Sequence, residues 1–240
     1  MSIYHAPNII SRVVLLSDLH MDYIANREWL TNLYNDNDDN NNNHDNKLLH
    51  HKSSTLIIIA GDISHNLDVL RWTFITLKSK FAQVVYTPGN HELWVTNNNN
   101  NNNAVDQDYN NTETLLDKLA KVLELCIQEG IHIGPVRVSS GTTALTSTAS
   151  SVLVIPLLSW HHPSFDTEFD IIGCCNKSSA RRANSDYRQT CWPLPLSHFH
   201  DSVAEFVDDM NDIILDLENI NDNNNDNNNI EIITFSHFLP

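Results

Sequence analysis

Four short polar runs carry the side chains that could do chemistry. They are Ser17-Asp18-Leu19-His20, Gly61-Asp62, Thr87-Pro88-Gly89-Asn90-His91-Glu92 and Ser236-His237-Phe238-Leu239-Pro240. Together they offer carboxylates, a carboxamide and imidazoles, the oxygen and nitrogen donors that hold divalent cations of the Mn, Fe, Zn or Mg type. Taken singly, each has an ordinary reading. Asp18 and His20 can solvate a strand end, Gly61-Asp62 can be a turn, and His237 can be a surface histidine. Their common position sets them apart, because each directly follows a short apolar run.

Those runs are the elements that must position the chemistry. Residues 13–16, 56–60, 84–86, 152–158 and 230–235 are short, apolar and mostly β-branched, as expected of strands buried on both faces. Helical spacing separates them. Leu115, Leu119, Val122, Leu123 and Cys126 mark one helix that stops near Gly130. Val203, Phe206, Val207, Met210, Ile214 and Leu217 mark another, with Ser202 and Glu205 as its expected capping box. A third is expected over 67–81. Strand and helix alternate, which argues an α/β fold. In such folds ligands bind beyond the carboxyl ends of strands, where four of the five runs place their polar clusters.

Composition narrows the function classes. The chain has 240 residues, 14 basic and 30 acidic, for a net charge of −16. That field repels a phosphate backbone and disfavours a general nucleic-acid binder. The cysteines Cys126, Cys174, Cys175 and Cys191 form no C-x-x-C pair, and reduced thiols inside a cell are the expected state. No secretory signal is visible. The longest apolar stretch, 152–158, is far short of the roughly 20 residues of a membrane helix, so a soluble, cytoplasmic protein without a membrane partner is expected. Asparagine is in excess at 32 residues, concentrated in tracts at 35–46, 97–103 and 221–229. These read as disordered insertions in one domain spanning 13–240.

The motif set resembles the calcineurin-like metallophosphoesterases. Asp18-x-His20, Gly61-Asp62, Gly89-Asn90-His91-Glu92 and Ser236-His237 carry the resemblance. Ser17-Asp18-Leu19-His20-Met21-Asp22-Tyr23, Pro88-Gly89-Asn90-His91-Glu92-Leu93-Trp94, Ser159-Trp160-His161-His162-Pro163-Ser164-Phe165-Asp166 and the run 236–240 are similar to a eukaryotic branch of that family. The resemblance implies an αββα sandwich of two mixed sheets flanked by helices, holding two divalent metals. It implies that Asp18 and His20 bind the first metal, that Asp62 bridges both, and that Asn90 and His237 bind the second. His91 is the implied catalytic histidine. The implied reaction is hydrolysis of a phosphoric ester by a metal-bound hydroxide. The family's Gly-His-x-His motif does not occur in this sequence, so the expectation is the N-terminal part of the domain with each metal one ligand short. A non-catalytic scaffold of the same fold, or an inert fragment, is the alternative.

Secondary candidates lie outside this set. His161 or His162, following the run 152–158, are placed to reach a substrate. Arg181, Arg182 and Arg188 gather inside an acidic chain and are candidates to clamp a phosphate through guanidinium forks, against the plainer reading of a solvated loop. Glu92 and Trp94 are expected to pack or orient the Asn90-His91 turn. Loop closure costs only about 0.6 kcal/mol per doubling of length. Deleting 97–103 or 221–229 is therefore expected to shift the melting temperature little; loss of soluble protein on either deletion would contradict the reading of these tracts as insertions.

Overall fold

The fold comes from a computed structural model describing residues 3–33, 54–95, 113–139, 151–162, 164, 185–193, 195–196, 201–214 and 230–238. The Asn-rich tracts, Leu217, the Cys174-Cys175 pair and two of the candidate arginines, Arg181 and Arg182, lie outside them. In chain order the elements are β1 (Tyr4–Ile9), β2 (Arg12–Leu16), α1 (Ile24–Asn32), β3 (Thr55–Ala60), α2 (Leu67–Lys80), β4 (Gln83–Thr87), a single 3-10 turn (His91–Leu93), α3 (Leu115–Glu129), β5 (Val136–Ser139), β6 (Ser151–Pro156), α4 (Asp186–Gln189), α5 (Ser202–Ile214) and β7 (Ile230–Phe235).

Two sheets result. One is three-stranded and parallel, in the order β2-β3-β4; the other is four-stranded and mixed, in the order β1-β5-β6-β7. They face each other, and β3 explains how. All six residues of its Thr-Leu-Ile-Ile-Ile-Ala run are buried, and side chains alternate across a strand. Ile57 and Ile59 join Leu30, Leu70, Phe74, Leu77, Val122 and Leu125 in a core beneath the helices. Leu56, Ile58 and Ala60 meet Val136, Val138, Val154 and Phe235 from the second sheet. A side chain fully buried this way is worth about 1.5–3 kcal/mol. The opposite face of β6 is covered as well, with Leu153 and Ile155 buried. A third core joins α3 and α5 around Trp160. Two stacked sheets with helices agree with the α/β sandwich class expected from the resemblance, although the β2-β3-β4 sheet is parallel where a mixed one was expected.

The sequence reading needs four corrections. Strand β2 is not buried on both faces. It is an edge strand whose Val14 and Leu16 pack toward the helices while Leu15 is 58% exposed. Strand β6 ends at Pro156, two residues before the apolar run does. Helix α5 opens at Asp201, whose carbonyl accepts from Glu205 N–H, so Ser202 is already inside the helix and not its cap. A capping box does form, at Thr114 and Asp117 ahead of α3. Finally β1, β5, α1 and α4 were not anticipated. Strand β1 contains Pro7, tolerated because β1 is an edge strand whose register slips between His5 and Ile9.

The β4 edge is closed by a short segment around His132, which exchanges bonds with Val84 and Tyr86. His132 Nε2 meets Gln83 Oε1 at 2.8 Å, and the ring lies 4.1 Å from that of Tyr4. Burial, with Lys78 nearby, holds the His132 pKa below its ordinary 6.5. The unfolded chain therefore binds this proton more readily than the folded one. Stability is fully present above about pH 6.5 and falls as the pH drops through the unfolded and then the folded value. His132→Gln is expected to flatten that acid-side loss, measured as melting temperature against pH.

Candidate metal centre

The loops leaving β2, β3, β4 and β7 converge, and with them Asp18, His20, Asp62, Asn90, His91 and His237. The first two loops run side by side, with Asp18 N–H bonded to Gly61 O, His20 N–H to Asp62 O and Met21 N–H to Ile63 O. Glu92 fastens the third loop to the second. Fully buried, it accepts from the backbone N–H groups of Asp62 (3.0 Å), Ile63 (2.5 Å), Ser64 (3.1 Å) and Gly89 (2.7 Å). Burial pushes the Glu92 pKa up and the Asp62 carboxylate adds to that, while the N–H bonds pull it back; the net direction is upward. Two glycines permit the approach. A Cβ on Gly61 would stand 2.6 Å from Gly89 N, and one on Gly89 would collide with Asp62 and with the His237 ring.

Asp18, His20 and Asp62 hold φ values of 55°, 40° and 57°, and among the described residues no other non-glycine has a positive φ. Such backbone costs about 1–2 kcal/mol per residue, and its confinement to these three places the strain at the candidate site.

The potential ligand atoms fall in two groups that share Asp62. One is His20, Asp62 and His91; the other is Asp18, Asp62 and His237. Within each group the atoms lie within 4.8 Å of one another. Asp62 is buried while Asp18 is exposed. Burial raises the Asp62 pKa and Asp18 works in the same direction, opposed by His237, the His91 N–H bond and His20. Burial lowers the His91 pKa, with His20 reinforcing it, so the neutral imidazole is favoured. The His91 ring stacks on Trp94 at 3.7 Å and meets the His20 ring edge-on at 4.8 Å.

His237 tests whether these residues fit a cation. Its Nδ1 lies 2.8 Å from Ala60 O. A carbonyl only accepts, so Nδ1 carries the proton. Nε2 then faces Asn90 Oδ1 at 3.0 Å and Asp62 Oδ1 at 3.4 Å. Three electron-rich atoms thus point at one place, which calls for positive charge: a second proton on the imidazole or a bound cation. Carboxylate, carboxamide and imidazole together are donors suited to a divalent metal, and the arrangement fits one.

Beside these groups opens a cleft of about 240 Å³ lined by His20, Asp22, Tyr23, His65, His91 and Trp94. Asp22 Oδ1 accepts from Ser64 Oγ at 2.7 Å, and Asp22 Oδ2 lies 3.9 Å from His65 Nδ1. Of the secondary candidates, His162 Nε2 lies 3.3 Å from Asp208 Oδ2 on α5, and Arg188, on α4, donates from Nη2 to Ser185 Oγ. Two residues of the site went unread in the sequence. Asp186 accepts from Asn90 Nδ2, and no local pattern marks it. His65 follows Gly61-Asp62 closely enough that its side of the cleft was open to inference.

The sequence matches the calcineurin-like phosphoesterase family over residues 11–173, more than half its length. The chain belongs to that family. It is 33% identical over 82 residues to the [acyl-carrier-protein] phosphodiesterase PptH of Mycobacterium tuberculosis, a match covering 34% of this chain and 21% of that protein. The fold is similar to the crystal structure of phosphopantetheinyl hydrolase (PptH) from Mycobacterium tuberculosis, with a TM-score of 0.53 at 17% identity, covering 92% of this chain and 67% of that one. Among the described residues no helix is long and apolar enough to cross a membrane.

Glu92 provides a stability test. Glu92→Ala leaves four N–H donors without their acceptor in a buried position, each unsatisfied group costing about 1–3 kcal/mol. Chemical denaturation should record a loss of more than about 3 kcal/mol, with Glu92→Gln less affected because it keeps one acceptor oxygen.

Proposed function

We propose that the chain is a metal-dependent hydrolase of phosphoric esters built around a two-metal site. Asp18 and His20 would hold one cation, Asn90 and His237 the other, with Asp62 shared between them. The ligand atoms themselves group His20 with His91 and Asp18 with His237, so the shared Asp62 is the part of this division that the geometry supports. The observation that carries this reading is the convergence of His237 Nε2, Asn90 Oδ1 and Asp62 Oδ1 on one place, with Asp62 common to a second ligand group. Divalent cations so held neutralise the charge of a phosphoryl group and make water a better nucleophile at neutral pH.

The chain's own residues do the rest. The neutral His91 imidazole, on the wall of the cleft, has an N–H to offer a phosphoryl oxygen or a leaving group. Trp94 stacks on the ring and limits its rotation. Tyr23 and Trp94 give the cleft an aromatic wall that shields the reacting group from water on that side. The relative from Mycobacterium tuberculosis is named a phosphodiesterase, so a phosphodiester is the first substrate to assay.

Purified protein supplied with Mn2+ is expected to hydrolyse bis(p-nitrophenyl) phosphate and to lose that activity on chelation. His91→Ala should lower turnover by about 10²–10⁴-fold while elemental analysis finds the metal retained. Asp62→Ala should lose metal and turnover together. If His91→Ala also empties the site, His91 is a ligand, as its grouping with His20 and Asp62 allows. Wild-type protein that binds metal yet turns over neither monoester nor diester would reduce the reading to a binding module.

A further inference from the structure

Asp186 lies on the four-residue helix α4, beyond the part of the chain that matches the family. Its side chain is buried beside the candidate metal centre. One oxygen, Oδ1, accepts from Asn90 Nδ2 at 2.6 Å and from Trp94 Nε1 at 2.8 Å. These bonds have different consequences. An asparagine amide can be turned so that either its oxygen or its nitrogen faces a given neighbour, and the hydrogen-bond partners decide which. The Asp186 oxygen accepts, so it draws the NH2 group and leaves Asn90 Oδ1 toward His237 Nε2. With the amide reversed, the NH2 group would face the centre, and an amide nitrogen has no lone pair for a metal. The second bond fixes the edge of the Trp94 indole, whose face lies on His91 at 3.7 Å.

We infer that Asp186 is the positioning residue of this centre: through one oxygen it turns the Asn90 carboxamide oxygen toward the metal position and holds the Trp94 ring against His91. The inference rests on the proposed metal site and adds a dependence that the ligand residues alone do not contain. A segment 96 residues from Asn90 decides whether that ligand presents oxygen or nitrogen.

The test is isothermal titration of metal-free, full-length protein with Mn2+, with circular dichroism to establish that each variant is folded. Outer residues that orient metal ligands are worth about 10–100-fold in affinity. Asp186→Ala should weaken Mn2+ binding by about that factor. Asp186→Ser, which keeps a polar residue at the start of α4, should do the same and serves if the alanine variant does not fold. Asp186→Asn should recover most of the affinity, because its side-chain oxygen can still accept both bonds. Thr190→Val removes the hydroxyl that bonds Asp186 O, loosening α4 without altering the carboxylate, and should bind as wild type does. Equal affinity of wild type and Asp186→Ala would overturn the inference alone. So would Asp186→Asn as weak as Asp186→Ala, or Thr190→Val weakened as much as Asp186→Ala, since each points to charge or helix integrity instead of amide orientation. Wild-type protein that takes up no Mn2+ would sink the proposed metal site and this inference with it.

Discussion

The candidate centre depends on one buried carboxylate that never faces it. Glu92 gathers four backbone N–H groups from two loops and so determines how the loop after β3 lies against the loop after β4. A buried carboxylate is costly unless its hydrogen bonds are met, and here both oxygens are. The same bonds close the accounts of four N–H groups that would otherwise be orphaned inside the protein. Asp62 sits on one side of this knot and Asn90 and His91 on the other. Their separation is therefore fixed by Glu92 and by the absence of side chains at Gly61 and Gly89, before any side-chain rotamer is chosen.

What the knot holds together is unfavourable in isolation. Three candidate ligands occupy left-handed backbone, and three electron-rich atoms converge beside His237. A fold accepts such local strain only where its surroundings over-determine it. The surroundings are β3 and β4, buried on both faces, with two cores clamping opposite sides of the same strands. The rigid part of the molecule thus lies directly behind its least relaxed part. This division of labour accords with a site whose lone-pair repulsion a bound cation would relieve, while the backbone strain is carried by the strands behind it.

Much of this was legible in the sequence because strands announce themselves by uninterrupted apolar runs and the chemistry sits where the runs stop. Asp18, His20, Asp62, Asn90, His91 and His237 were all singled out, and the structure brings all six together. Glu92 and Trp94 were expected to pack or orient the Asn90-His91 turn, and the geometry gives each a specific contact. Other features were not legible. Strand β1 contains a proline, β5 is four residues long, and in α1 only Leu30 is buried, so none carries a strong periodic signal. The exposed face of β2 was misread because an edge strand and a central strand can share the same apolar composition; only pairing order tells them apart. Asp186 was invisible for a different reason. Its role is a contact across 96 residues, and the segment's local pattern drew attention to its arginines instead.

Asp186 also bears on why the centre needs more than the strand ends. Backbone geometry alone places Asn90 but cannot choose between the two ends of its amide, which are nearly the same size. Sterics are indifferent to that choice, and only a hydrogen-bonding partner of defined sense makes it. Glu92 and Asp186 therefore solve separate problems with the same kind of group. Glu92 accepts from the main chain and sets where the loops lie. Asp186 accepts from side chains and sets which atom each presents. The first role can be filled within the motif itself, three residues from Gly89. The second requires an acceptor on the far side of Asn90, and α4 supplies it. A ligand set read from motifs is consequently a list of residues, while the donor set that a cation meets is decided by acceptors outside that list.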